Sequence, residues 1–257
     1  MVEELTYVNM GATAVGTGIN ADVEYVKNVV RILSEVTGFE FKQSPDLVDG
    51  TRNLDSFVWL SSALKTCAVN LSKTANDIRL MASGPKAGLA EILLPQQQPG
   101  SSIMPGKVNP VIPEVLNQVC FQIFGNDITI TKAAEAGQLE LNVFEPVLFF
   151  NLFQSIEILK NGIITFIENC LKGITAQEEN CKYWVDRSVG IITALNPHIG
   201  YKNAAEIAKE SIKTGVPVAQ IVLQRGLLSK EDLDVILNPF EMTKPGIPGK
   251  ALLKKNK

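Results

Sequence analysis

Histidine is all but missing: His198 is the only one in 257 residues. The four cysteines, Cys67, Cys120, Cys170 and Cys181, form no CxxC pair and no metal-ligand spacing. They read as free, buried thiols of a cytoplasmic protein rather than as a disulfide framework. Basic excess is missing too. Lys plus Arg number 24 against 27 acidic residues, a formal charge of −3, which gives no field for nucleic acid. No uninterrupted apolar run reaches the ~18 residues of a membrane span, so no membrane partner is expected. Met1-Val2-Glu3-Glu4-Leu5 has none of the features of a signal peptide. Internal repeats and low-complexity tracts are absent. Gly84-Pro85-Lys86-Ala87-Gly88 lacks the GK[ST] of a phosphate loop. Gly16-Thr17-Gly18-Ile19-Asn20-Ala21 fits GxGxx[GA], with Glu40 at a ribose-contact distance. No alternation of strands and helices follows, which excludes the parallel sheet a nicotinamide fold requires.

What is present is mostly helix. Hydrophobic residues make up 46% and charged residues 20%, normal for a globular chain. Val23, Val26, Val29, Val30 and Leu33 recur at helical spacing, with Asn20 as a possible cap, for a helix to about 37. A longer one spans 53–83 and stops at Gly84-Pro85. Two more run 110–134 and about 142–171. The middle of the last, 147–153, is apolar nearly all round, and such a helix is buried on most sides. Three such helices cannot cover one another in a monomer, which predicts a bundle completed by other subunits. Shorter helices follow at about 177–194, 201–213, 217–224 and 230–237. Ser229-Lys230-Glu231-Asp232 resembles a capping box. The reading is all-α, with a bundle region 1–172 and a small helical domain 173–257.

The polar chemistry gathers on Gly100-Ser101-Ser102-Ile103-Met104-Pro105-Gly106-Lys107-Val108-Asn109-Pro110. Asn109 suits an N-cap and Pro110 the first helical position. The loop then lies on the positive end of a helix, beside the Lys107 charge, where a carboxylate substrate fits. Ser101 or Ser102 could be activated there by loop N–H groups and Lys107. The bland alternative is a surface turn with an ordinary cap.

These eleven residues match the signature of the aspartase/fumarase superfamily. Thr13–Asn20, Ala136–Val143 and Leu195–Tyr201 resemble three further segments of it. Glu135-Ala136-Gly137-Gln138-Leu139-Glu140 and Glu241-Met242-Thr243-Lys244-Pro245-Gly246 look more like the aspartases than the class II fumarases. The resemblance implies a long-helix bundle followed by a small helical C-terminal domain. It implies reversible elimination of ammonia from L-aspartate to give fumarate, through an aci-carboxylate and without metal or organic cofactor. By position Ser101 is the general base, and Lys107 and Asn109 hold the substrate carboxylates, with Ser102 giving loop hydrogen bonds. Glu114 matches a glutamate that pairs with a histidine from elsewhere in the active site. Gly100, Gly106 and Thr17 are supporting positions. The family is homotetrameric, each site shared between subunits.

The chain departs from that pattern in one respect. The Thr-His segment and the earlier Thr/Ser-rich segments are not found, and the match is to the C-terminal part of longer proteins. The chain therefore reads as a fragment with little or no lyase activity alone. The alternatives are the same portion of a fumarate hydratase, or a non-catalytic helical assembly module. His198 sits in the Leu195–Tyr201 segment and reads as a structural hydrogen bonder.

Overall fold

The computed structural model describes residues 3–100, 103–104 and 106–254. Eleven α-helices occur among them. The chain divides into two compact units, one of Met1–Gly88 with Ile92–Thr175, the other of Leu89–Glu91 with Ala176–Lys257.

The first unit is organised by three long helices: α3 (Asp55–Met81), α4 (Val111–Glu135) and α5 (Glu145–Asn169). Small residues let them approach. Ala68 and Ala75 of α3 are wholly buried against Leu116, Cys120 and Ile123 of α4. A Cβ on Gly162 of α5 would stand 3.3 Å from Val119 of α4. Further along, Ile130, Leu148 and Leu152 pack with Leu54, where Phe57 and Phe149 meet edge to face at 4.8 Å. Each buried aliphatic side chain contributes about 1.5–3 kcal/mol.

Polar residues punctuate this interior, and each has a partner. Asn117 donates to Ser72 Oγ at 2.9 Å, and Asn126 to Ser155 Oγ at 3.0 Å and Gln154 Oε1 at 3.0 Å. Asp127 accepts from Ser61 at 2.8 Å and pairs with Lys65 at 2.5 Å. These contacts fix the register of α4 against α3 and α5. Buried Asn142 joins two helix ends: it donates to the Ala133 and Ala134 carbonyls of α4 and accepts from Phe144 N ahead of α5. It therefore satisfies groups that helix termini leave without intrahelical partners.

The N-terminal part holds a parallel pair of two-residue strands, β1 (Tyr7–Val8) and β2 (Lys42–Gln43), with α1 (Val23–Thr37) and α2 (Leu47–Arg52). The cap of α1 is Asp22, whose carboxylate accepts from Glu24 N and Tyr25 N, and not Asn20. Asn20 is left-handed, at φ 63°, one turn too early. Asp46 caps α2 in the same way.

The second unit contains α6 (Glu178–Arg187), α7 (Ile192–Ile199), α8 (Tyr201–Thr214), α9 (Val218–Gln224), α10 (Lys230–Ile236) and α11 (Pro239–Met242). The single helix expected over 177–194 is broken at Ser188, whose extended backbone lets its side chain accept from Gly190 N. Ser229 caps α10 by accepting from Asp232 N at 3.1 Å. Leu195, Ile207, Ile221 and Ile236 form its core. His198 Nε2 donates to the Pro248 carbonyl at 2.8 Å, tying the following tail to α7.

Two expectations need correction. All four cysteines are free, but only Cys120 and Cys170 are buried; Cys67 is exposed on α3. Glu145–Gly173, at mean hydropathy 1.3, is long and apolar enough to cross a membrane by length and composition alone. A count of uninterrupted apolar residues overlooks it because Asn151, Gln154 and Lys160 break the run. The core helix of a soluble bundle meets the same test, and Leu148, Leu152 and Leu159 are buried.

Candidate active site

Glycine decides how the signature loop closes. A Cβ at Gly100 would stand 1.9 Å from the Lys107 carbonyl oxygen, so only glycine permits this approach. Asn109 secures the same closure by donating from Nδ2 to the Gly100 carbonyl at 2.7 Å. The loop thus has a pinched root between Gly100 and residues 107–109. Gly106 has φ 80°, a left-handed turn that favours glycine. Lys107 is exposed and forms no ion pair with any described residue. Ser101 and Ser102, the expected base and its neighbour, lie outside the described residues.

Asn109 therefore does not cap α4. Pro110 stands at the N-cap, with φ −78° and ψ 54°, and Val111 N reaches back to the Asn109 carbonyl at 2.8 Å. That is an inverse γ-turn. It narrows the expected anion site. Proline occupies both 110 and 113, Val111 N is taken, and Glu114 N bonds the Pro110 carbonyl at 3.1 Å. Ile112 N–H is the donor left in the first turn for a carboxylate.

Glu114 follows on the same turn. Its partner within this chain is Arg79, near the end of α3, at 3.7 Å. Arg79 also donates to Asn117 Oδ1 at 3.3 Å. The sequence reading missed Arg79 and Asn117, although an asparagine among the apolar residues of α4 was a signal that something polar had to meet it.

Thr17 is exposed and belongs to another part of the unit. Its neighbour Gly16, at φ 90°, lies so close to α2 that a Cβ would be 2.3 Å from Val48 Cα. The glycines were expected to approach the bundle; the partner of this one is α2. No hydrogen bond or ion pair joins Thr17 to Lys107, Asn109 or Glu114 among the described residues.

The loop does not overlie a large cavity of its own unit. The depression beside Asn109–Pro113 is about 10 Å³. The larger cleft, about 550 Å³, lies near the start of α3 and contains none of the expected site residues. Glu4, Asp49 and Asp55 line it without a lysine or arginine, which disfavours a dicarboxylate. Among the described residues no three His, Cys, Asp or Glu side chains are grouped to hold a metal ion.

Comparison with known proteins bears on this geometry. A family model described as Lyase matches residues 1–125, and one described as Fumarase C C-terminus matches residues 191–244. The aspartate ammonia-lyase of Bacillus subtilis (strain 168) is 60% identical over 253 residues, 98% of this chain and 53% of that protein. That of Escherichia coli (strain K12) is 50% identical over 248 residues, 96% of this chain and 52% of its own length. The chain belongs to the aspartase/fumarase superfamily.

Solved structures of the superfamily agree on the all-α bundle. A fumarate lyase:delta crystallin from Brucella melitensis, bound to cobalt, superposes with TM-score 0.89 at 46% identity, covering 94% of this chain and 52% of that one. A class II fumarase from Schistosoma mansoni gives TM-score 0.84 at 34% identity, over 95% of this chain and 54% of that one. The chain spans about half the length of the superfamily relatives it matches.

Proposed function

We propose that this chain is the C-terminal portion of an aspartate ammonia-lyase, carrying the loop segment of an active site that other segments complete. The carrying observation is the 60% identity to a protein of that name over 98% of the chain.

In this reading Ser101 removes the proton from the carbon next to the side-chain carboxylate of L-aspartate. The electron pair delocalises onto that carboxylate as an aci-carboxylate, then forms the double bond of fumarate as ammonia leaves. Lys107 and Asn109 hold the substrate carboxylates. One Nδ2 hydrogen of Asn109 is used on Gly100, so the other, with Lys107 and Ile112 N–H, is available for an anion. Preorganised donors of this kind are each worth a few kcal/mol in the transition state. Gly100 and Gly106 shape the loop, Ser102 supplies hydrogen bonds and Glu114 supports. Thr17 acts with a loop from another subunit.

The outer faces of the bundle support assembly. Phe121 is 58% exposed, Ile128 64%, Phe150 66% and Phe153 63%, more apolar surface than a monomer tolerates well. A homotetramer in the cytoplasm is the proposed state, and the isolated chain the proposed inactive form.

A second reading, the same portion of a fumarate hydratase, draws on the match of residues 191–244 and on the fumarase superposition. One experiment separates them. The chain, alone and co-expressed with the N-terminal half of the Bacillus subtilis relative, is given L-aspartate and fumarate is followed by ultraviolet absorbance, beside a Ser101→Ala control; fumarate is offered in parallel and malate measured. Ammonia elimination that appears on co-expression and vanishes with Ser101→Ala supports the proposal. Malate formation without ammonia release selects the hydratase. Full turnover by the chain alone refutes the need for other segments.

A further inference from the structure

Arg79 is the one guanidinium built into the bundle beside the signature loop. It sits in the last turn of α3, where a cation complements the carbonyl end of the helix. NH2 faces Glu114 Oε1 at 3.7 Å, and NH1 donates to Asn117 Oδ1 at 3.3 Å and Asn76 Oδ1 at 3.4 Å. Its Nε is buried with no acceptor among the described residues. A buried donor without a partner costs about 1–3 kcal/mol, so packing convenience does not explain it.

Direction does. Asn117 is 3% exposed and doubly held, by Ser72 Oγ at 2.9 Å and the Ser72 carbonyl at 3.2 Å. It is a rigid post, and it aims the guanidinium. The far edge of the guanidinium then meets Glu114, three residues beyond the N-cap of α4 and five beyond Asn109. A lysine ammonium could meet Glu114 or Asn117, but its single charge lacks the planar fork that spans both.

We propose that Arg79 is a positioning residue: held by Asn117 and Ser72, it fixes the Glu114 carboxylate at the first turn of α4, next to the loop that closes on Asn109. This rests on the lyase reading above, and the tests keep the two apart.

The first test uses the full chain and needs no activity. The chain has five arginines, so their Nε–H signals are resolvable by nitrogen-15 NMR. The buried Arg79 signal is expected to exchange slowly with solvent, and to shift and speed its exchange in Glu114→Gln and in Asn117→Ala. An Arg79 signal unmoved by Glu114→Gln overturns the pairing, whether or not the protein is a lyase.

The second test uses the chain co-expressed with the N-terminal half of the Bacillus subtilis relative. Arg79→Met is expected to lower kcat about tenfold with KM within about twofold, the pattern of an interaction made in the transition state. Arg79→Lys should recover part of the loss. In a Glu114→Gln background, Arg79→Met should cost nothing more, because coupled residues are non-additive. Equal losses in both backgrounds would show a merely structural arginine and overturn the proposal. Absence of wild-type turnover would count against the lyase reading, and the NMR result would then decide on Arg79 alone.

Discussion

The bundle and the C-terminal unit solve burial differently. In the C-terminal unit α8 is amphipathic: Ala204, Ile207 and Ser211 face one core while its charged residues face water. One buried stripe per helix is enough for a small domain. In the bundle, α4 and α5 bury one face against each other and α3, yet leave Phe121, Ile128, Phe150 and Phe153 outside. The first arrangement is sufficient in itself. The second is written for more neighbours than one chain supplies, and the loop that carries the candidate chemistry stands on it. Interior polarity differs in the same sense. Asn117, Asn126 and Asp127 give the bundle fixed registers, whereas the main C-terminal cluster is aliphatic.

This contrast can be broken. Leu148→Ala in the bundle and Ile207→Ala in the C-terminal unit, both fully buried, should each cost about 2–5 kcal/mol. Urea unfolding followed by tryptophan fluorescence, with Trp59 in one unit and Trp184 in the other, should show each substitution moving mainly its own unit's transition. A single transition displaced equally by both would abolish the distinction.

Next in size is Asn142→Ala, which removes the partners of two α4 carbonyls and of Phe144 N. Its expected cost is about 1–3 kcal/mol, read as a lower urea midpoint at unchanged slope. A cost below 0.5 kcal/mol, roughly the surface-substitution level, would mean the two helix ends do not need this link.

Phe150→Glu with Phe153→Glu should change the stability of the single chain by no more than about 0.5 kcal/mol, since both rings already face outward. The same pair should abolish association in sedimentation velocity, while Phe240→Glu in the C-terminal unit, also exposed, should not. Association insensitive to the bundle pair would place the interface elsewhere.

The smallest effect is alkaline. Burial raises the Cys120 and Cys170 thiols above their ordinary range. The unfolded chain therefore loses these protons first as pH rises through about 8.5, and above that the native state binds more protons than the unfolded one. Their contribution is intact below that pH and declines above it, measurable as a falling urea midpoint. Replacing both with alanine should flatten the decline, and exposed Cys67 should react first with a thiol reagent.

Helical periodicity located α3, α4 and α5 to within a few residues, because a helix that must bury a wide face repeats apolar residues at fixed spacing whatever surrounds it. Caps were less legible. Asn20 and Asp22 are both good capping types, and only the backbone angles separate them. Asn109 was read as a cap because Asn-Pro before a helix commonly is one. Its amide goes to Gly100 instead, since the loop returns there, a contact nine residues away in sequence.

The sequence by itself determined the class of fold, the long helices and the loop's residues, all of which follow from local composition and spacing. Tertiary structure alone decided which polar groups meet. Arg79 finds Glu114 and Asn117, Gly100 lies against Lys107, Gly16 lies against α2, and two prolines leave Ile112 N–H as the open donor of the first turn. Those pairings depend on where the chain returns in space, and hydrogen bonds and steric contacts act over a few ångströms of space rather than along the sequence.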